Sequence, residues 1–269
     1  MAMAHTLGFI GCGNMAQAIA QGAIRQGIVP ANQIIASNPS APKRELFASW
    51  GCDTTDDNLA VVRSAEQVVL AVKPQVFPAV APTLADVITD DHVLISVMAG
   101  LSGARIAELV GRPCRVVRAM PNTPLLVGQG VTGIARCDNA QPGDEDLAIK
   151  LFEAAGLAVK VEENQINAIA AVSGSGPAYI FYLAEAMQRG AEQLGLGEHA
   201  EQIVTQTLLG SAELLADSAD DAPTLRRKVT SPKGTTEAAI NVMDTANLAD
   251  TIVAAMKANV ARSEALASQ

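Results

Sequence analysis

The sequence predicts an α/β fold, a doubly wound domain with a parallel sheet, followed by an all-α half. Three observations predict it. The first ~160 residues alternate short apolar runs with helix-length segments, the pattern of βαβ units around a parallel sheet. A Gly-rich turn closes the first apolar run and opens a helix. After about residue 163 the strand pattern stops, and segments rich in Ala and Leu continue at helical spacing.

The elements follow in order. Strands are expected at 6–11, 33–37, 67–72, 92–98, 114–120, 130–136 and 157–161. The stretch 14–25 carries Met15, Ile19 and Ile24 at roughly helical spacing. Ser40 before Pro42 reads as a helix cap with Pro in the first turn. In the second half, 176–194, 198–217, 222–229 and 246–266 read as helices. Ala184, Gly190 and Gly210 would allow close helix approach. The boundary falls near 160–165, giving expected domains of 1–163 and 164–269.

Composition narrows the function classes. Hydrophobic residues make up 49% but aromatics only 3%, so the core must be aliphatic. The net charge of −9 disfavours nucleic acid and anionic membrane surfaces, which select basic proteins. No run of about 20 apolar residues suggests a membrane span. The start lacks the basic region of a signal peptide, so a cytoplasmic protein is expected. Cys12, Cys52, Cys114 and Cys137 are far apart and read as reduced, buried thiols. His5, His92 and His199 have no metal-ligand spacing, and no metal is expected.

Gly11-x-Gly13-x-x-Ala16 is the G-x-G-x-x-A form of the dinucleotide fingerprint. Gly11 permits the tight turn, Gly13 lets a pyrophosphate approach the backbone, and Ala16 packs the helix on the strand. The helix N-terminus then offers free N–H groups to the phosphates. The domain is therefore expected to be Rossmann-like. At the tip of the second strand an NAD site would place Asp or Glu on the ribose. Here stand Ser37, Asn38 and Ser40, with Lys43 and Arg44 following, a set that suits a 2′-phosphate and favours NADPH, with NADH possible. The alternative is a solvated loop that only caps the next helix. Lys73, held by Pro74 at a third strand end, should lie along the cofactor or else stand as a solvated lysine. Asn122 in "RAMPNTP" either meets a carboxamide or sets a turn.

The stretch "VTSPKGTTEAAI" (229–240) sets hydroxyls, a Pro and a Gly at the mouth of a helix. Together with "GFIGCGNMAQAI", "LAVKPQ", "RAMPNTP" and "VSGSGPAY", in this order and spacing, it resembles the pyrroline-5-carboxylate reductase family over essentially the whole chain. That resemblance implies NADPH-dependent reduction of L-Δ1-pyrroline-5-carboxylate to L-proline, the last step of proline biosynthesis. It implies an N-terminal Rossmann-like domain and a helical domain that interlocks as a homodimer, often assembled into a larger ring such as a decamer. Carried over residue by residue, Ser231 would contact the substrate carboxylate. The N–H groups of Gly234 and Thr235 would complete the anion site, and Thr236 would hydrogen-bond the ring nitrogen as the catalytic residue. Gly11, Cys12, Gly13, Asn14 and Met15 would contact the 2′-phosphoadenosine part of the cofactor. Ser37 and Asn38 would meet the 2′-phosphoadenosine, with Asn58 near the adenine. Ala71, Val72, Lys73 and Pro74, with Val97, Met98 and Ala99, would line the ribose and nicotinamide.

The chain departs from the family at Lys233, where Gly is usual; if that position needs φ > 0, the strain is roughly 1 kcal/mol or more. Two other classes compete. Hydroxyacid dehydrogenases of the 6-phosphogluconate-dehydrogenase type carry a catalytic Lys on the interdomain helix, and no Lys lies between Lys160 and Lys228 here. A nucleotide sensor would need no second anion site.

Overall fold

The structure is a computed structural model that describes residues 3–267. Residues 1–2 and 268–269, at the outer ends of the two expected domains, lie outside the described residues. The chain divides into two units. One runs to Ser175 and resumes at Asn259; the other spans Gly176–Ala258.

The first unit is built on β1 (His5–Ile10), β2 (Ile34–Ser37), β3 (Asp53–Thr55), β4 (Ala65–Leu70), β5 (Val93–Ser96), β6 (Arg115–Met120), β7 (Gly130–Arg136) and β8 (Gly156–Lys160). They form one sheet in the order β3-β2-β1-β4-β5-β6-β7-β8. Every strand expected from the sequence is present. β3 was not expected, because a three-residue polar edge strand shows no apolar alternation. The sheet is also not parallel throughout: β7 pairs antiparallel with β6, and β8 then pairs parallel with β7. Residues 121–129 alone join β6 to β7, fewer than the dozen or more that a parallel crossover needs.

Helices cover both faces: α1 (Asn14–Arg25), α2 (Ala41–Ser49), α3 (Asn58–Ser64), α4 (Phe77–Val80), α5 (Gly103–Val110), α6 (Asp146–Glu153) and α7 (Ile166–Ile169). Successive strand side chains point to opposite faces, so alternate residues feed two cores. Leu7 and Phe9 join the layer of α1, α2 and α6, with Ile19, Phe47 and Phe152 fully or nearly fully buried. Ile10 joins Val61, Leu70, Phe77 and Ile106 beneath α3, α4 and α5. Ser40 does sit at the start of α2, but its hydroxyl makes no capping bond there.

All four cysteines are free and buried in this unit. Burial pushes the Cys12, Cys52 and Cys114 thiols up from the ordinary 9.0 to about 11, and Cys137, beside Glu163, to about 12. An unfolded chain loses these protons near pH 9 while the folded chain keeps them, so the folded state binds more protons and stability falls as pH rises from about 9 to 11. The urea midpoint under reducing conditions is expected to drop across that window, and to drop less in Cys114→Ala. An equal drop in the two proteins would contradict the assignment.

The second unit is helical: α8 (Gly176–Gln193), α9 (Ala200–Asp217), α10 (Ala222–Lys228), α11 (Thr235–Thr245) and the first part of α12 (Leu248–Ala267). Its buried core is small. Ala191, Ala200 and Val204 are buried, flanked by Ala184, Met187 and Leu208. Large apolar side chains meanwhile stay exposed in the single chain, Phe181 at 68%, Tyr182 at 74% and Val242 at 70%.

Candidate active site

Strand order reverses beside β1: β2 and β3 lie on one side, β4 and β5 on the other. Open α/β sheets bind ligands at such a switch point, outside the carboxyl ends of the strands. Gly11 turns the chain there with φ +103°, and its N–H donates to Ser37 O at 2.9 Å. A Cβ on Gly11 would stand 2.6 Å from Ala71 O, so neither side chain nor L-type backbone is tolerated. A Cβ on Gly13 would meet nothing within 4 Å, which leaves open space directly before α1. Gly13 is the N-cap of α1 and no side chain caps that end. The first N–H groups of the helix are therefore available to an anion. Cys12 and Ala16 are fully buried, whereas Asn14 is exposed and Met15 partly so.

At the tip of β2 no carboxylate is present. Ser37 is fully buried, and its hydroxyl bonds Asn58 Oδ1 at 2.7 Å and Phe9 O at 3.3 Å. It ties α3 to β2 and orients the Asn58 amide. Asn38 is half-buried; its Oδ1 accepts from Ser40 N at 3.0 Å and shapes the turn. Arg44 bends back to donate to Asn38 O and Pro39 O. Lys43 and Arg44 both pull the Cys12 thiol pKa down against the larger effect of burial, so their field reaches the Gly-rich turn. An open cradle, an uncapped helix end and two cations with no ion pair among the described residues fit a dinucleotide carrying a 2′-phosphate.

Beyond β4 and β5, Ala71 and Val72 are half-buried, and Lys73 is exposed with no ion pair among the described residues. Pro74 O accepts from Phe77 N and Lys73 O from Val76 N, which turns the chain into α4. Val97 N donates to Leu70 O at 3.3 Å; Met98 is buried and Ala99 exposed. Buried Cys12 and Met98 can reach a ligand only through their backbone. Asn122 resolves to its structural alternative: its Oδ1 accepts from Val131 N at 2.8 Å and its Nδ2 donates to Ser173 O at 3.1 Å. One support was not legible in the sequence. Glu163 Oε1 accepts from Gly103 N at 2.7 Å and pairs with buried Arg118 at 3.4 Å. It ties the start of α5 to β6, 60 positions along the chain from Gly103 and 45 from Arg118, and no local pattern marks such a bond.

The helical unit presents the 231–236 stretch. Ser231 O accepts from Gly234 N at 3.0 Å, closing a turn with Pro232 at its second position. Lys233 follows with φ 59°, one of two positive-φ non-Gly residues among those described. Proline's fixed φ and a positive φ after it define a type II turn, which favours Gly at that place. Lys233 N donates to Glu237 Oε2 at 2.7 Å, and a Cβ on Gly234 would collide with Ser231 Oγ. The Gly234 N–H is thus engaged inside the turn. No side chain caps α11, so the N–H groups from Thr235 on stay open. Ser231, Thr235 and Thr236 are exposed, and their hydroxyls have no hydrogen-bond partner among the described residues. Lys233→Gly is expected to raise Tm by a few degrees, because about 1–2 kcal/mol of left-handed strain outweighs the flexibility gained by the unfolded chain. A lowered Tm in a thermal melt would refute the strain.

Residues 163–266 match the family model for pyrroline-5-carboxylate reductase dimerisation, and residues 6–100 match that for NADP oxidoreductase, coenzyme F420-dependent. A pyrroline-5-carboxylate reductase of Haemophilus influenzae is 42% identical over 266 residues, 97% of this chain and 98% of that one. The chain belongs to the pyrroline-5-carboxylate reductase family. Solved members of the family have the same architecture. The Coxiella burnetii reductase superposes with a TM-score of 0.90 at 41% identity, covering 98% of each chain. The Plasmodium falciparum reductase, determined with NADP bound, superposes at 0.85 with 26% identity over 99% of this chain and all of that one. The family assignment unites the two matched regions: the Gly-rich turn lies in the first, the 231–236 loop in the second.

Proposed function

We propose that the chain is an NADPH-dependent reductase that converts L-Δ1-pyrroline-5-carboxylate to L-proline. The carrying observation is the intact 231–236 loop, an uncapped helix N-terminus with three hydroxyls that have no partner among the described residues, in a chain that family members match over 97–98% of its length. Ser231 receives the carboxylate through its hydroxyl. The dipole and open N–H groups of α11 complete the anion site. Thr236 bonds the ring nitrogen and holds the C=N bond in one orientation. NADPH, when bound at the Gly-rich turn, supplies the hydride that the imine carbon receives. The nitrogen takes its proton from solvent before binding, since a cyclic imine is basic enough and a Thr hydroxyl is a poor acid. Gly11 to Met15 hold the pyrophosphate. Arg44 and Lys43, with Asn38, take the 2′-phosphate, and Ser37 holds Asn58 for the adenosine. Ala71 to Pro74 and Val97 to Ala99 line the ribose and nicotinamide.

In this reading residues 1–163 bind the cofactor and 164–269 bind substrate and associate. The exposed Phe181, Tyr182 and Val242 around so small a core support a homodimer, and a ring of dimers such as a decamer is its fuller form. Four free thiols suit a reducing, cytoplasmic setting.

The test is NADPH oxidation by purified protein with L-Δ1-pyrroline-5-carboxylate, repeated with NADH, beside sedimentation equilibrium. Saturable oxidation faster with NADPH is expected, from a species no smaller than a dimer. A protein that binds NADPH yet oxidises none with the imine would end the reductase reading. A monomer at micromolar concentration would end the dimer.

A further inference from the structure

Residues 97–102 join β5 to α5, and 97–99 are the part assigned to the nicotinamide. The near end of this loop is held by its neighbours. Val97 N donates to Leu70 O at 3.3 Å, and Met98 N to Ser96 Oγ at 3.3 Å. Met98 and Leu101 pack on the core beneath α3, α4 and α5. Residues 99–101 donate no backbone hydrogen bond among the described residues. At the far end stands Gly103, the first residue of α5, whose N–H donates to Glu163 Oε1 at 2.7 Å. A Cβ on Gly103 would stand 2.4 Å from Cys137 Cβ and Sγ, so no side chain fits between them. The polar anchor of this loop end is therefore Glu163.

Glu163 is itself held. It opens the short turn before α7, where Glu162 N donates to Gln165 Oε1 and Gln165 N to Glu162 O, both at 2.9 Å. Its Oε1 also faces Arg118 Nη1 at 3.4 Å. The Arg118 side chain is 7% exposed, and Glu163 is its one ion-pair partner among the described residues. Arg118 lies on β6 in register with Ser96, the residue that receives Met98 N. One carboxylate oxygen thus meets a buried cation and the first N–H of a helix together, which fixes its place. All of these groups belong to the first unit. Buried ion pairs add little stability over apolar side chains of the same volume. What this one supplies is a fixed acceptor for the Gly103 N–H.

We propose that Glu163, with Arg118 behind it, is a positioning residue for hydride transfer: it sets the 97–102 loop so that the nicotinamide is held in one place. It acts through Gly103 and not by contact with cofactor or substrate. The proposal rests on the reductase reading for the place of the nicotinamide. In that reading the adenosine half binds elsewhere, at the Gly-rich turn and the tip of β2, so loss of Glu163 separates the two halves of the cofactor. A reacting group misplaced by about 1 Å loses on the order of a hundredfold in rate, far more than it loses in binding.

The test compares wild type, Glu163→Ala, Glu163→Gln and the double variant Glu163→Ala/Arg118→Met. Calorimetric titration with adenosine 2′,5′-bisphosphate reads the adenosine half of the site. The emission change of NADPH on binding reads the nicotinamide half, and steady-state kinetics with the imine reads the transfer. In Glu163→Ala the bisphosphate should bind as it does to wild type, while the NADPH emission change is largely lost. There kcat should fall by about one to two orders of magnitude, with little change in KM for the imine. Glu163→Gln keeps an acceptor for the Gly103 N–H and should recover most of both losses. Equal weakening of bisphosphate and NADPH in Glu163→Ala would mean a structural role only and overturn the proposal, as would wild-type emission and kcat. A Glu163→Gln variant as poor as Glu163→Ala would also overturn it, by assigning the effect to charge. If Glu163→Ala fails to fold, as judged by its melting curve, the double variant leaves no unpaired buried cation and decides on the same readouts. Failure of the reductase reading shows separately, as a wild-type protein that binds NADPH without oxidising it with the imine, while the two binding readouts still decide the role of Glu163.

Discussion

Gly11→Ala is expected to abolish measurable NADPH binding and to lower stability by about 2 kcal/mol or more. Two costs combine. The backbone at Gly11 holds φ +103°, where an L-residue is strained, and a methyl group there would stand 2.6 Å from Ala71 O and 2.8 Å from Ala71 C. Both neighbours are backbone of the strand end that lines the site, so relief means moving β1 away from β4. That movement displaces Gly13 and the open end of α1, which the pyrophosphate needs. Gly13→Ala is the informative contrast. Its methyl group would meet no protein atom within 4 Å, so it should fold as wild type and lose cofactor affinity alone. Cofactor fluorescence titration and urea unfolding read the two effects. Wild-type affinity in Gly11→Ala would show that the turn is not the phosphate site.

Thr236→Ala is expected to reduce kcat/KM by about one to three orders of magnitude, the loss expected for one hydrogen bond made to the reacting group in the transition state. The fold should be untouched, because Thr236 is exposed on the first turn of α11 and its hydroxyl has no partner among the described residues. Ser231→Ala should raise KM more than it lowers kcat, as befits a carboxylate contact present in the ground state as well. Steady-state kinetics with saturating NADPH separates the two. Thr236→Ala with wild-type kcat/KM would remove Thr236 from the reaction.

Much of the fold was legible because its signals are local. The apolar runs at β1, β4, β5, β6 and β7 sit within a residue or two of their expected places. α1 coincides with the expected 14–25. The Gly-rich turn was legible for the same reason: a tight strand-to-helix turn imposes its φ on one residue, and Gly is the type that accepts it. β3 was missed because three polar residues pair only through β2, whose Ile35, Ala36 and Ser37 select them. The reversal at β7 was missed because strand direction depends on connection length and on the partner, not on the strand's own residues.

The site divides along the same line. By itself the sequence determined the residue types at the strand ends, the missing carboxylate after β2 and the hydroxyl-rich loop before α11. Each of these is a property of neighbours along the chain. Only the tertiary structure decided that Ser37 turns inward to Asn58, that Asn122 braces Val131 and Ser173, and that Glu163 reaches back to Gly103. It alone decided that Lys233 holds a left-handed backbone. Those outcomes depend on which distant groups burial brings within about 3 Å of each other, and a hydrogen bond over that distance leaves no mark on residue order.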